Sequence, residues 1–538
     1  MAFTSLYFLI FAAVTVGVYY IIPSGFRWIW LLIASYAFYL LSSPATFIFL
    51  LLTTATTFLG GLYIGGVNRS HRAYMDAHKQ EMSREEKKAA KAASQSKKKR
   101  MTALILVLDF GVLAVLKYFR YYLQAAGIFD TGELLIPLGI SFYTFQSAAY
   151  IFDLYRNKIE PDRNIAKFAL FTSFFPQIIQ GPISRYDQLA GQLYEGHRFE
   201  YENLTHGAQL ILWGFFKKLV IADRAAVLVN EVYGNYTEYT GGVIFIGVLF
   251  YMIQIYADFS GGIDIARGVA RCMGIRMTHN FLRPYFAHDL SEFWNRWHIS
   301  LSHWCRDYIF YPVAMSKFFG KAGKSLRSVL GDRVGKLFPV IIAQYCTFLT
   351  IGLWHGAEFK YIAFGLYNGT VIVLGLLLEP MLKKMAGAVT GALHIEEQGR
   401  LWQGFRIVRT FFVVLAGRVF PKAVSFTAAV SMFFSMFVPS RGTQFTETVL
   451  SLGLTGSDFL IIAGGCAVWF IISICEERYA ASAGTGGIAA GAEAVRNKLD
   501  ERPLAVRWAL LLAAFAFVLT FGIYGPGYDA AAFIYRGF

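Results

Sequence analysis

From Leu337 to Trp354 the chain reads LFPVIIAQYCTFLTIGLW without a single charge, and His355 follows at once. A helix needs about 20 largely apolar residues to cross the hydrocarbon core of a bilayer, and there it must satisfy every backbone polar group within itself. Runs of this kind recur near residues 4–22, 27–42, 45–66, 101–119, 134–154, 405–420, 425–438 and 457–475, and again from about 508 to 523. With the stretches between 165 and 380 the count reaches about 11–12 candidates. The expected fold is an all-α polytopic membrane protein with about 11–12 transmembrane or re-entrant helices. Composition agrees. Hydrophobic residues make up 56% of the chain and charged residues 16%, against roughly 45–50% and 25% in soluble domains.

The formal charge of +15 does not point to nucleic acid, because the basic residues sit in loops between apolar segments, where they encode topology. Between Arg69 and Arg100 stand eleven Lys or Arg against four Asp or Glu, so this loop is expected on the cytoplasmic side. Three crossings back from it place Met1 outside. The middle of the loop, SREEKKAAKAA, has helix-forming composition with Ser83 as its cap. Contact with anionic membrane lipid and a simple solvated loop are both open readings of that charge. The five cysteines, Cys272, Cys305, Cys346, Cys466 and Cys475, show no CxxC pairing and lie in or beside apolar stretches. They read as free thiols, with neither a disulfide framework nor a metal site. The N-terminal run lacks a basic lead and a small-residue cleavage site, so it reads as a retained helix.

Several apolar stretches carry polar residues that lipid cannot satisfy. Pro137, Gly139, Ser141, Tyr143, Thr144 and Gln146 open one helix and must face protein or a watered cavity. FFPQIIQGPISR breaks twice, at Pro176 and Pro182. GFFKKLVIADR places Lys217, Lys218, Asp223 and Arg224 after a short apolar run, which suggests a helix emerging on a surface. YMIQIYADFSGGIDIARGVARCMGI embeds Asp258 and Asp264 around a break expected at Gly261-Gly262, with Arg267 and Arg271 as the expected ion-pair partners. Basic residues then recur from Arg267 to Lys336, which points that region to the cytoplasm.

The stretch SEFWNRWHISLSHWCRDYIFYP, from Ser291, reads as one amphipathic helix. Helical spacing puts Phe293, Trp297, Leu301 and Trp304 on one face and Asn295, His298, Ser302 and Arg306 on another. Such a helix also suits the headgroup region, where indole and guanidinium are both comfortable. A histidine closing a bilayer-length apolar run, as His355 does, is costly there and tends to mark function.

FWNRWHISLSHWCRDYIFYP followed by the histidine of LWHGA resembles the membrane-bound O-acyltransferase family, in particular its bacterial branch that acetylates exported polysaccharides such as alginate. PLGISFYTFQSAAYIFDLYR from Pro137, FFPQIIQGPISR from Phe174 and GFFKKLVIADR from Gly214 fit the same branch. The resemblance covers residues 1–380 well and the remainder loosely. One departure is LYNGT, with Asn368 where family members often carry a second histidine-glycine pair.

The resemblance implies a family-type core with a central cavity over 101–380, after N-terminal transmembrane helices (1–66) and a basic cytoplasmic loop (67–100), and before C-terminal transmembrane helices with an extracytoplasmic tail (381–538). It implies transfer of an acyl group, expected to be acetyl, from a cytoplasmic thioester such as acetyl-CoA, with no permanently bound cofactor or metal. His355 is then the expected base and His298 the orienting or oxyanion-facing partner. Asn295, Arg296, Trp297, Ser302, Arg306 and Trp354 are expected to bind substrate, the arginines through coenzyme A phosphates. The ending FIYRGF resembles a Phe-Ile-Tyr ending of the branch and brings Tyr535 to the mouth of the cavity. The implied setting is the bacterial inner membrane with both termini extracytoplasmic. The implied partner is an extracytoplasmic serine-esterase-type acetyltransferase that completes delivery to the exported polysaccharide. D-alanyl transfer to teichoic acid would be served by the same motifs, and a polysaccharide transport scaffold with the two histidines as a proton relay would share the broken helices.

Overall fold

The computed structural model describes residues 2–78, 80–119, 122, 126–127, 137–439, 445–482, 488–525 and 528–529. Among them, eight helices are long and apolar enough to cross a membrane, and Leu6–Ile21 and Phe426–Ser435 are shorter apolar helices. The only extended pairing among the described residues is an isolated bridge between Phe281 and Trp297. The chain is an all-α polytopic membrane protein. Its contacts divide it into two compact units, Met1–Ala208 with Ala266–Thr278 and Gln209–Ile265 with His279–Phe538.

In the first unit the basic stretch after Asn68 is not a loop. Phe47–His78 and Arg84–Ala114 extend beyond their apolar portions as a helical hairpin. The Ser83 hydroxyl accepts from the Glu86 amide at 3.2 Å, and the Glu86 carboxylate accepts from the Ser83 amide at 2.8 Å. Ala, Lys, Glu and Arg are good helix formers, and lengthening an existing helix needs no new nucleus. Lys98, on the second arm, donates to the Tyr155 carbonyl at 3.0 Å.

The polar helix Ile140–Tyr155 is buried from Ile140 to Ile151, so its polar residues face protein as expected. It begins at Gly139 with φ +69°, where a Cβ would stand 1.9 Å from the Ile178 carbonyl oxygen. Only glycine tolerates both that backbone and that approach. Ile178 closes Phe175–Ile178, the single turn that follows the first break in FFPQIIQGPISR.

In the second unit two expectations are corrected. Helix Gly242–Cys272 runs without a break through Gly261-Gly262. Gly261 instead permits a close crossing with Gly214, since a Cβ on Gly261 would lie 2.9 Å from the Gly214 carbonyl oxygen, and one on Gly214 2.5 Å from that of Gly261.

Lys217 and Lys218 do not emerge on a surface either; both are buried within a π-helical turn, Phe216–Ala222. Lys217 reaches Asp264 at 2.6 Å and Ser260 at 2.8 Å. Lys218 reaches Asp258 at 2.5 Å and Asp223 at 2.7 Å. The embedded aspartates are therefore ion-paired, as expected, and Lys217 and Lys218 are among their partners. Hydropathy along the sequence registers each charge singly and misses a partner some forty residues away that makes burial tolerable.

Candidate active site

Helix Leu290–Arg296 starts on Asp289, whose carboxylate accepts from the Glu292 amide at 2.9 Å. The single amphipathic helix expected from spacing then breaks. Trp297 is extended, at φ −105° and ψ 127°, and His298 is left-handed, at φ 45° and ψ 52°, before Ile299–Cys305 resumes.

The competing force is pairing with residues 280–282. The Leu282 amide donates to the Arg296 carbonyl at 2.9 Å and the Ile299 amide to the Asn280 carbonyl at 3.0 Å. The Asn280 side-chain oxygen accepts from the Ser300 amide at 2.9 Å and the Ser300 hydroxyl at 2.8 Å, so it caps the second helix from outside. A β-type residue beside a left-handed histidine is a strained arrangement of the kind found where function demands a fixed side chain.

The break turns His298 inward. Its ring meets Phe259 at 4.9 Å and Trp354 at 5.4 Å, both edge-on. His355, the last residue of Asp332–His355, meets Trp354 at 4.9 Å, Phe364 at 5.7 Å and, stacked, Tyr361 at 6.1 Å. Trp354 thus lies against both imidazoles, and the structure gathers the three into one aromatic-walled site. Burial pushes the His298 imidazole down to about 3, which keeps it neutral at physiological pH.

The other expected contacts divide. Trp297 is buried beneath the site and Trp354 within it. Ser302 is half-buried and donates to the Trp297 carbonyl at 3.3 Å. Asn295 is exposed. Arg306 has a side chain 41% exposed and pairs with Asp307 at 2.9 Å.

Arg296, expected on donor phosphate, is instead clasped between two carboxylates, Glu292 at 2.7 Å and Glu477 at 2.5 Å. Glu477 also takes Arg283 at 2.7 Å. Burial raises the Glu292 carboxyl, but hydrogen bonds from His288 and the charge of Arg296 outweigh it and hold the group below its ordinary value. Tyr535 lies outside the described residues.

Sequence reasoning missed Trp294, which donates to the Asn368 side-chain oxygen at 3.2 Å. Asn368 is buried there and also donates to the Phe364 carbonyl at 2.8 Å. It missed Arg418 as well, though a cation near the end of the apolar run 405–420, nine residues past Arg409, was a visible signal.

Residues 159–331 match the family described as MBOAT, membrane-bound O-acyltransferase. Over 467 residues the chain is 32% identical to the probable alginate O-acetylase AlgI of Pseudomonas aeruginosa, covering 85% of this chain and 78% of that one. The chain belongs to the membrane-bound O-acyltransferase family. It is an O-acyltransferase, and a multi-pass membrane protein. The family also reaches it through a peptidoglycan O-acetyltransferase of Helicobacter pylori, 30% identical over 50% of this chain and 53% of that one. A teichoic acid D-alanyltransferase of Streptococcus thermophilus is 30% identical over 45% of this chain and 58% of that one. The segment matched to the family contains the broken helix with His298, and His355 lies beyond it.

Proposed function

We propose that this O-acyltransferase moves an acetyl group from acetyl-CoA on the cytoplasmic side, across the bacterial inner membrane, for O-acetylation of an exported polysaccharide. The observation that carries the reading is the convergence of His298 and His355 on Trp354, at the end of a bilayer-length helix. The similarity to alginate O-acetylases over most of the chain supports acetyl and a polysaccharide over D-alanyl and teichoic acid.

Neutral His355 takes the proton of an acceptor hydroxyl as that oxygen attacks the thioester carbonyl carbon. A tetrahedral oxyanion forms, the carbon–sulfur bond breaks, and the departing thiolate receives the proton. His298, held neutral and fixed by its backbone, orients the acceptor. Trp297, Trp354 and Ser302 shape the pocket, and Arg306 and Asn295 approach the donor from the rim. Tyr535 and both termini lie outside, by the basic content of the loops. The Tyr535 hydroxyl is that acceptor, and the serine of an extracytoplasmic serine-esterase-type acetyltransferase then attacks its acetyl ester, taking the acetyl group and releasing the phenol.

The test is release of free thiol from acetyl-CoA by the purified protein in lipid nanodiscs, with D-alanyl carrier protein as the competing donor. Turnover of acetyl-CoA alone supports the reading. Turnover of the D-alanyl donor alone would move the chain to the teichoic acid reading, and transport without turnover of either would abandon the enzyme reading of this site.

A further inference from the structure

Arg418 lies near the end of helix Arg400–Lys422 and is 2% exposed. Its guanidinium carbon stands 4.2 Å from the centre of the Trp297 ring and 5.7 Å from those of Phe293 and Phe364. Its Nε and Nη2 are buried and without a hydrogen-bond partner among the described residues. Every other deeply buried cation cited above in this unit lies within 3.1 Å of a carboxylate: Lys217, Lys218, Arg283 and Arg296. Arg418 rests on three rings, with no carboxylate pair among the described residues.

Two of those rings adjoin the active site. Trp297 precedes His298, and Phe364 meets the His355 ring at 5.7 Å. Cation–π attraction to a desolvated tryptophan recovers only part of what burying an unpaired charge costs. A carboxylate in that place would have lowered the cost further and also cancelled the field of the cation. What remains is a positive charge fixed on three rings, of which Phe364 meets His355 and Trp297 directly precedes His298, with two N–H-bearing atoms unspent. Acyl transfer creates an anion where the ground state has only a neutral carbonyl, and a fixed cation in a dry site stabilises that change most.

We propose that Arg418 supplies the oxyanion stabilisation of acyl transfer, donating from its unspent nitrogens to the thioester carbonyl oxygen as negative charge collects there. The inference rests on the reading of His355 and His298 as the reacting site. Arg418 takes no proton and forms no bond to carbon. When the tetrahedral intermediate collapses, the charge leaves with the thiolate and Arg418 returns to its rings.

The test uses the full chain in nanodiscs, with acetyl-CoA turnover followed as free thiol. Arg418→Gln should lower kcat by about 10²–10³ with the donor KM nearly unchanged, the loss expected for one oxyanion donor. Arg418→Lys, which keeps the charge and loses the fork, should fall between, and added guanidinium should restore part of the rate to Arg418→Ala. A raised KM at unchanged kcat would overturn the proposal in favour of a site for a ground-state anion such as a donor phosphate. Equal loss in Gln and Lys variants, with no rescue by guanidinium, would overturn it in favour of packing. If the Gln variant does not fold, the Lys variant and the guanidinium rescue decide by the same criteria. Wild-type turnover that His355→Ala abolishes and Arg418→Gln leaves intact would defeat this inference alone. Absence of wild-type turnover would defeat the underlying reading with it.

Discussion

Lys217 and Lys218 each face a carboxylate within 2.6 Å, whereas Arg418 faces aromatic rings and His298 and His355 flank one indole. Both regions bury polar chemistry inside the second unit. In the first, charge is spent on charge, and the product is a clamp: the pairs tie the turn Phe216–Ala222 to helix Gly242–Cys272, and Tyr528 adds a hydrogen bond to Asp223 at 2.9 Å. In the second, polar groups are held by ring contacts and by a left-handed backbone at His298. Buried polarity alone does not mark function in a membrane protein. How it is compensated does.

The largest expected effect lies on the catalytic side of that contrast. His355→Ala should lower acyl transfer by about 10²–10⁴, the usual worth of a general base, with the protein still folded and inserted. A variant within a few-fold of wild type in thiol release would remove His355 from the mechanism. The clamp should answer in the opposite way. Lys218→Met leaves Asp223 and Asp258 as buried carboxylates without their cation, and should destabilise the protein by about 3–5 kcal/mol in thermal unfolding from detergent. The double variant Lys218→Met with Asp258→Asn should recover part of that loss. If the lysine variant unfolds normally but loses turnover, the clamp belongs to the chemistry and the contrast collapses.

The same contrast explains what could be read from the sequence. Apolar length exposed the spans, because the bilayer constrains every backbone group locally. The ends of helices in the basic hairpin were misread because the hydropathy of Asn68 to Arg100 resembles a loop although its propensity is helical. At the site, His298, Trp354 and His355 were legible as residue types in unusual settings. The break at Trp297 and His298 was not, since it depends on pairing with Asn280 and Leu282, and helical periodicity carries no information about a strand-like neighbour. The clasp on Arg296 was hidden for a related reason: Glu477, which forms part of it, lies 181 residues away.

His298 gives a smaller effect with a definite sign. Burial lowers its pKa to about 3, while in an unfolded chain it returns to about 6.5. Between those values the unfolded state binds the extra proton. Its contribution is therefore fully present above about pH 6.5 and is lost as pH falls toward 3. Thermal stability of the wild type should decline across that window, and His298→Gln should flatten the decline. An identical acid limb in both proteins would show that His298 is not held neutral.

The smallest effect separates two arginines that the sequence treats alike. Arg296 is buried between Glu292 and Glu477, so its replacement should act first on stability, by freeing two carboxylates. Arg306 is half-buried and pairs with its sequence neighbour Asp307. A partly solvated pair between sequence neighbours is worth about 0.2–1 kcal/mol, so Arg306→Glu should change unfolding far less than replacement of Arg296. If the rim at Arg306 meets the phosphates of the donor, the same change should raise the KM for acetyl-CoA by about 3–10-fold at constant kcat, because a phosphate contact binds ground and transition states about equally. The rise should shrink with added salt, as screening weakens exposed charge at distances beyond about 8–10 Å. An unchanged KM at low salt would leave Arg306 with topology alone, and would place donor recognition elsewhere on the chain.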